Sequence, residues 1–306
     1  MTWTELDTWI VIAGSLTAMA CAIPGVFLQL NKQSMLGDAI SHAVLPGIAI
    51  AYLLSGTKET LPLLMGAVFA GVLTALLSGA IQRFGQVDPG ASLGVVFCVF
   101  FAVGLLLVRV AADHVDLDPS CVLFGSLELS VIGSQGVPKI VWLSAATLLL
   151  NATLATLFYK ELRLAAFDHR FAGTIGIPAA GIRLGLTIFT SVTAVMAFES
   201  VGSILVISML IVPGATALLL CRSVAGVLFA SLGFASLCSI GGHLLAISAA
   251  PWLLSKLTGA PHLGSLSSVG MMATVSGLIF ILVLLARALR NPTPDMVTAS
   301  NAGLSD

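Results

Sequence analysis

Long apolar stretches separated by short charged ones set the pattern of this chain. Residues 8–31, 39–57, 60–82, 89–108, 140–159, 200–221, 223–255 and 257–286 contain no Asp, Glu, Lys or Arg. At a rise of about 1.5 Å per helical residue, each run is long enough to cross a hydrocarbon layer of about 30 Å. A shorter clean run, 184–198, lies between Arg183 and Glu199 and fits a tilted span, a half-helix or one arm of a hairpin with the next run. The pattern predicts an all-α, polytopic membrane bundle of eight to nine transmembrane helices. One membrane domain is expected over residues 1–290, followed by a short cytoplasmic tail, 291–306, without fixed structure. The first run begins with Glu5 and Asp7 instead of a basic segment, so it reads as a retained helix and not as a cleaved signal peptide.

Composition agrees and narrows the class. Apolar residues make up 58% of the 306 positions and charged residues 9%, against roughly 25% charged in an ordinary soluble domain. Mean hydropathy is +1.08. A water-soluble enzyme of this composition would expose large apolar patches, which excludes that class. With 13 Lys and Arg against 14 Asp and Glu, no basic surplus exists to neutralise phosphates, so nucleic acid is excluded as a partner and the lipid bilayer is implied. The five cysteines, Cys21, Cys98, Cys121, Cys221 and Cys238, are widely spaced and form no Cys-x-x-Cys pair, which fits small apolar fillers better than disulfides or zinc ligands.

Charge placement gives an orientation. With nine spans and an outer N-terminus, Lys32, Arg83, Lys160, Arg163, Arg170, Arg183, Arg222, Arg287 and Arg290 fall on the cytoplasmic side, leaving Lys58, Arg109, Lys139 and Lys256 outside. That asymmetry follows the positive-inside rule. Two loops are longer than a connector needs. The outer one, 109–137, combines carboxylates with a short apolar stretch suited to partial re-entry or to lying on the membrane. The inner one, 159–181, places Leu162, Ala165, Ala166 and Phe167 at helical spacing before a turn, which predicts short amphipathic helices resting on lipid or docking a cytoplasmic partner.

Pro-Gly pairs interrupt three apolar runs, at Pro24-Gly25, Pro46-Gly47 and Pro213-Gly214. A proline has no N–H to bond four residues back, so the carbonyls of Ala20, His42 and Met209 lose their helical partners. At membrane depth such carbonyls persist only where protein, water or an ion satisfies them, which fits either packing kinks or a transport path.

One kink follows a carboxylate and an imidazole. In Gly37-Asp38-Ala39-Ile40-Ser41-His42-Ala43-Val44-Leu45-Pro46-Gly47, Asp38 and His42 are four apart and share a helix face. An acid within a span is costly enough to mark a pathway. Carboxylate oxygen and imidazole nitrogen together suit manganese, iron or zinc. Two ligands bind weakly, as a conduit requires, and further ligands could come from a symmetry-related subunit, carbonyls or water. A plain Asp–His tie between helices, or Asp38 capping a helix that starts there, is the alternative. The other histidines, His114, His169, His243 and His262, show no metal-ligand spacing.

These same residues carry a family resemblance. The stretch 36–47 resembles the signature of the permease subunits of bacterial manganese, zinc and iron ABC importers. Similar segments follow in order: Leu117-Asp118 with Val122-Leu123-Phe124-Gly125; Phe167-Asp168 with Phe171-Ala172 and Gly176-Ile177; Val201 to Val206 running on to Leu210 to Ala217; and Ser267 to Gly277. The resemblance implies a multi-pass permease of the bacterial inner membrane that passes a metal ion from an extracytoplasmic binding protein, driven by separate cytoplasmic ATPase subunits. It implies Asp38 and His42 as pathway ligands and an ATPase-coupling element around Phe167, Asp168, Phe171 and Gly176. The Gly-Met-Met segment at 270–272 inclines the cargo toward manganese, with zinc and iron as alternatives. The sequence departs from the family at His169-Arg170, where Pro-Glu is common, and at Gly214, where Ala is usual, which should loosen the Pro213 kink.

No Gly-x-x-x-x-Gly-Lys-Ser/Thr phosphate loop occurs, so the chain is expected to be a transport subunit and no enzyme, with ATP bound on its partner. No cofactor is expected on the chain itself, and the sparse ligand set calls for a permease dimer with a second copy or a paralogue. The alternative is a secondary metal transporter, proton- or sodium-coupled, that needs no ATPase.

Overall fold

A computed structural model describes residues 3–56, 60–112, 127–131, 136–167, 179–248, 256 and 267–290. Eleven helices account for the regular structure of those residues. They are α1 (Glu5–Leu30), α2 (Ser34–Ser55), α3 (Thr60–Gly85), α4 (Pro89–Ala112), α5 (Leu127–Val131) and α6 (Lys139–Leu157), then α7 (Tyr159–Phe167), α8 (Ala179–Val201), α9 (Ser203–Leu220), α10 (Val224–Ile247) and α11 (Ser268–Arg290). Eight of them are long and apolar enough to cross a membrane: α1 to α4, α6 and α9 to α11. The all-α bundle expected from the apolar runs is therefore present.

The uncertain run 184–198 lies inside α8, a helix of 23 residues, or about 34 Å. Length alone would carry it across. Its hydropathy is diluted by Thr187, Thr190, Ser191 and Thr193, all buried. Thr190 and Ser191 donate their hydroxyl protons to carbonyls four residues back, and Thr193 shares its one proton between the Phe189 carbonyl at 2.9 Å and Asn151 Oδ1 of α6 at 3.1 Å, which lets an apolar interior accept them. The chain passes from α8 to α9 through the single residue Gly202, at φ 82° and ψ 167°. That backbone region is open essentially to glycine alone.

α1 is the central post. It packs against α6, α8, α9 and α10, while α2, α3 and α4 form a tightly associated group to one side. Fourteen α1 residues are buried, including Ala13, Gly14, Ala18, Ala22 and Gly25, and this small-residue surface admits the neighbouring helices closely. The first turn of α1 is closed by a capping box, in which Asp7 accepts from the Thr4 amide (2.8 Å) and the Thr4 hydroxyl (2.6 Å).

Contacts between helix ends give their directions. Asp7 near the start of α1 meets His243 near the end of α10, and His243 meets Ser268 at the start of α11. Farther along, Ser208 pairs with Ser276 and the Leu219 carbonyl accepts from Arg287, so α9 and α11 run in parallel. Thr17 pairs with Ser144 and the Ala20 carbonyl with Asn151, which makes α6 parallel to α1. These directions agree with the alternation that places the first residues of α1 outside.

Both long loops contain helix. In the outer loop, α5 buries Leu127 and Val131 completely against the bundle, so its apolar stretch turns inward. In the inner loop, α7 follows α6 after Phe158 and buries Leu162 and Ala165, as the helical spacing predicted, against α1, α6 and α8. Asp168, Phe171 and Gly176, the segments Leu117-Asp118 and Val122–Gly125, and the tail 291–306 lie outside the described residues. Among the described cysteines all are free, and Cys21 and Cys238 are buried as apolar fillers.

Candidate metal pathway

Helix α2 begins at Ser34 with Gln33 at its N-cap, earlier than the charge-free run 39–57 suggested. Asp38 therefore lies in the second turn of an established helix and does not cap it. The carboxylate sits roughly 6 Å along the axis from Ser34 and the imidazole roughly 12 Å, so the pair occupies the inner part of α2.

The pair forms as the spacing predicted: His42 Nε2 is 3.6 Å from Asp38 Oδ1. The two groups differ in environment. The Asp38 side chain is 50% exposed on the face of the bundle, whereas His42 is 22% exposed. His42 is held by two rings of α4, with centroids 5.2 Å away at Phe97 and 5.5 Å away at Phe101. These phenylalanines stack on each other at 6.1 Å. They fix the imidazole and leave the carboxylate accessible, and they were not legible in the sequence because Phe97 and Phe101 lie 55 and 59 residues beyond His42, on a helix that only the fold brings alongside. Among the described residues, no group of three or more His, Cys, Asp or Glu is placed to hold an ion, so the chain by itself offers two side-chain ligands here.

Beyond the pair, α2 is gripped at its proline. Gly47 faces Gly66 of α3 so closely that a Cβ on Gly47 would lie 2.7 Å from the Ala70 Cβ, and one on Gly66 would lie 2.6 Å from the Ala51 Cβ. The Pro46 ring rests against Gly104 of α4. Pro46 and Gly47 thus belong to the same helix as the pair, one turn onward. Pro213 and Gly214 lie on α9, which reaches α2 through Leu210, packed on Gly37 next to Asp38.

The carbonyls beside the other two prolines find side-chain partners. Asn151 Nδ2 of α6 donates to the Ala20 carbonyl at 2.7 Å, the group predicted to be freed by Pro24. Near Pro213, the Gln29 amide of α1 donates to the Leu210 and Ile211 carbonyls, one and two residues beyond Met209. Gly214 makes room for this amide, since a Cβ there would lie 2.9 Å from Gln29 Nε2.

A second Asp–His pair was not legible in the sequence. Buried His243 places Nε2 3.3 Å from Asp7 Oδ1 and Nδ1 3.0 Å from the Ser268 hydroxyl. The Ser268 amide donates to Glu128 Oε1 at 2.8 Å, and the Trp3 ring stands edge-on to the imidazole at 5.8 Å. Asp38 is therefore not the single acid beside a histidine within the spans. This outer cluster ties α1, α5, α10 and α11, residues 236 positions apart being joined at its centre by folding alone.

A cavity of about 910 Å³ opens beside the first turn of α2, lined by Lys32, Gln33, Ser34, Gln82, Arg83 and Asp88 among others. Asp38 does not line it. Residues 4–252 match the ABC 3 transport family. The chain belongs to that family. It is 36% identical over 262 residues to the manganese transport system membrane protein MntD of Bacillus subtilis, covering 84% of this chain and 87% of that protein. It is 35% identical over 281 residues to the zinc transport system membrane protein TroD of Treponema pallidum, covering 90% and 72%. With the chelated iron transport system membrane protein YfeD of Yersinia pestis it shares 36% over 215 residues, covering 70% and 67%. The fold is similar to PsaBC from Streptococcus pneumoniae, solved in complex with Fab, at a TM-score of 0.73 and 25% identity over 92% of this chain and 91% of that one. As an ABC-family permease, the protein is a multi-pass membrane transport subunit, and it is not itself an enzyme.

Proposed function

We propose that this chain is the permease of an ABC importer for a divalent transition-metal ion, with manganese favoured and zinc or iron as alternatives. The observation that carries this reading is the Asp38–His42 pair on α2, mixed oxygen and nitrogen ligands on one helix face, half-open and braced by Phe97 and Phe101. The relatives' names, which cover manganese, zinc and chelated iron, support the cargo class. Two ligands per chain favour a permease dimer, a second copy or a paralogue, completing the coordination shell with its own side chains, carbonyls or water.

The mechanism is alternating access. An extracytoplasmic binding protein delivers the ion to the outer side of residues 1–290. Cytoplasmic ATPase subunits close on ATP and push on the inner segment that runs from α7 through Phe167, Asp168, Phe171 and Gly176. The kinked helices then exchange one packing for another, and Asp38 and His42 face first outward and then inward. The Pro46-Gly47 and Pro213-Gly214 kinks supply the points of bending.

The test is uptake of manganese, zinc or iron(II) into proteoliposomes holding the assembled transporter, with and without ATP. Uptake that requires ATP and falls in Asp38→Ala and His42→Ala, with assembly intact, is the expected result. Normal uptake by those variants would falsify the pathway assignment, and ATP-independent uptake by the lone chain would make it a secondary carrier.

A further inference from the structure

The inner segment that meets the ATPase in the proposed mechanism is flanked by α6–α7 on one side and α8 on the other, while the Asp38–His42 pair sits on α2. The described structure contains a continuous route of hydrogen bonds and packing contacts between them. Its first member is Asn151, fully buried on α6. The Asn151 amide donates to the Ala20 carbonyl of α1 at 2.7 Å, and its carbonyl oxygen accepts from the Thr193 hydroxyl of α8 at 3.1 Å. Both ends of this carboxamide are therefore engaged, one on each of the helices that flank α6. From Ala20 the route continues along α1 past Pro24 to Gly25, whose backbone touches Leu210 of α9, and to Gln29, whose amide donates to the Leu210 and Ile211 carbonyls. Leu210 in turn packs on Gly37, the residue before Asp38.

The Ala20 bond differs in kind from those around it. A regular helical carbonyl is bonded to the amide four residues on, and releasing it unwinds the helix. The Ala20 carbonyl has lost that partner to Pro24, so its bond is to another helix and can be made or released as α6 moves, with α1 still helical. A buried carbonyl in an apolar surrounding is not left without a partner at small cost, which ties the position of α1 to that of α6. Asn151 thus ties α1 at its proline to α6, the helix that leads into the inner segment, and through Thr193 to α8.

We propose that Asn151 is a coupling residue: its carboxamide, bridging the Pro24-freed carbonyl of α1 to Thr193 of α8, transmits movement of the ATPase-facing segment to the helices around the metal pair. Asn151 contacts neither the ion nor the ATPase. It is a positioning residue, and the assignment rests on the ABC-permease reading above.

The experiment uses the full transporter with its ATPase subunits in proteoliposomes, reading manganese moved per ATP hydrolysed. Asn151→Ala removes both bonds with the side chain's bulk, and Asn151→Leu removes both bonds while keeping bulk at the position. Thr193→Val removes the link to α8, together with the hydroxyl's bond to Phe189 in its own helix, leaves the Ala20 bond in place, and serves where either Asn151 variant fails to assemble. The expected result is assembled complex with ATP turnover near the wild type and a fall of about tenfold in manganese per ATP, the size of a typical coupling between sites. A residue with only a structural role would lower ATP turnover and transport together, through loss of assembled complex. A parallel fall of that kind, or an unchanged ratio in any assembled variant, overturns the proposal. Failure of the functional reading has a separate signature, a wild-type complex that hydrolyses ATP and moves no metal.

Discussion

Substituting Gly47 by alanine tests whether the α2–α3 contact sets the stability of the site's helix. The added methyl would lie 2.7 Å from the Ala70 Cβ and closer still to the Gly66 carbonyl oxygen. Carbon atoms rest at about 3.5–4.0 Å, so the helices must part by roughly 1 Å. Such overpacking costs about 1–3 kcal/mol. Alanine also returns up to about 1 kcal/mol of helix propensity, and Gly94→Ala on α4, where a Cβ meets nothing within 4 Å, isolates that gain. The difference between the two variants therefore reads the packing cost. Gly66→Ala pushes the same surfaces apart, with its methyl 2.6 Å from the Ala51 Cβ. Once the helices have separated for one methyl, the other finds part of its room made, and the double variant should lose less than the sum of the singles. Thermal unfolding of the purified protein in nanodiscs gives all four values, and metal uptake should fall with Gly47→Ala because the contact lies about one turn beyond His42. Equal stabilities for Gly47→Ala and Gly94→Ala, or strictly additive losses in the double variant, would refute the argument.

Three further outcomes follow from separate contacts. Asp38→Asn should unfold within about 1 kcal/mol of the wild type, because a partly exposed pair at 3.6 Å contributes little to stability, whereas His42→Ala also loses its packing on Phe97 and Phe101 and should cost about 1–3 kcal/mol; metal uptake falls in both, and thermal scans and uptake on the same preparations separate the two effects. Gly202→Ala should cost about 1–3 kcal/mol, since φ 82° and ψ 167° is a region an L side chain occupies only under strain, and an unchanged unfolding temperature would contradict it. At the outer cluster, Ser268→Ala removes the hydroxyl beside His243 Nδ1 and should cost about 1 kcal/mol, whereas Glu128→Gln keeps an acceptor for the Ser268 amide and should cost less; the order of their unfolding temperatures is the check.

Most of the bundle was readable from the charges, because lipid tolerates so few of them that each marks a boundary. Eight charge-free runs correspond to the eight apolar helices of α1 to α4, α6 and α9 to α11, with ends shifted by several residues where uncharged turns leave the run unbroken. The shift at α2 is the consequential one. Its helix begins at Ser34, before the charge-free run 39–57, and so includes Asp38 on one face with His42, as their four-residue spacing required. The status of 184–198 could not be read from hydropathy, because Thr190, Ser191 and Thr193 look polar in sequence but satisfy their hydroxyls inside the bundle, the first two within their own helix and Thr193 there and on Asn151. Nor could the run show that Gly202 alone separates α8 from α9.

The site divides along the same line between local and tertiary information. Asp38 and His42 are one helical turn apart, so their meeting depends only on α2 being helical. Phe97, Phe101, Asp7 with His243, and Asn151 with Ala20 depend on which helices the fold sets side by side. The prolines stand between these cases. Sequence identifies Ala20 as a carbonyl in need of a donor, because Pro24 removes the donor it would have had, but the donor itself comes from α6. At Pro213 the same reasoning names Met209, whereas the Gln29 amide reaches Leu210 and Ile211. A proline inside a membrane helix thus predicts a demand for a hydrogen bond more securely than its address, since the bend spreads over the adjacent carbonyls and the partner helix selects among them. Asn and Gln meet that demand without bringing a charge into lipid, and Asn151 and Gln29 stand at two of the three proline sites; at the third, Pro46, α2 is gripped by the glycines of α3 and α4.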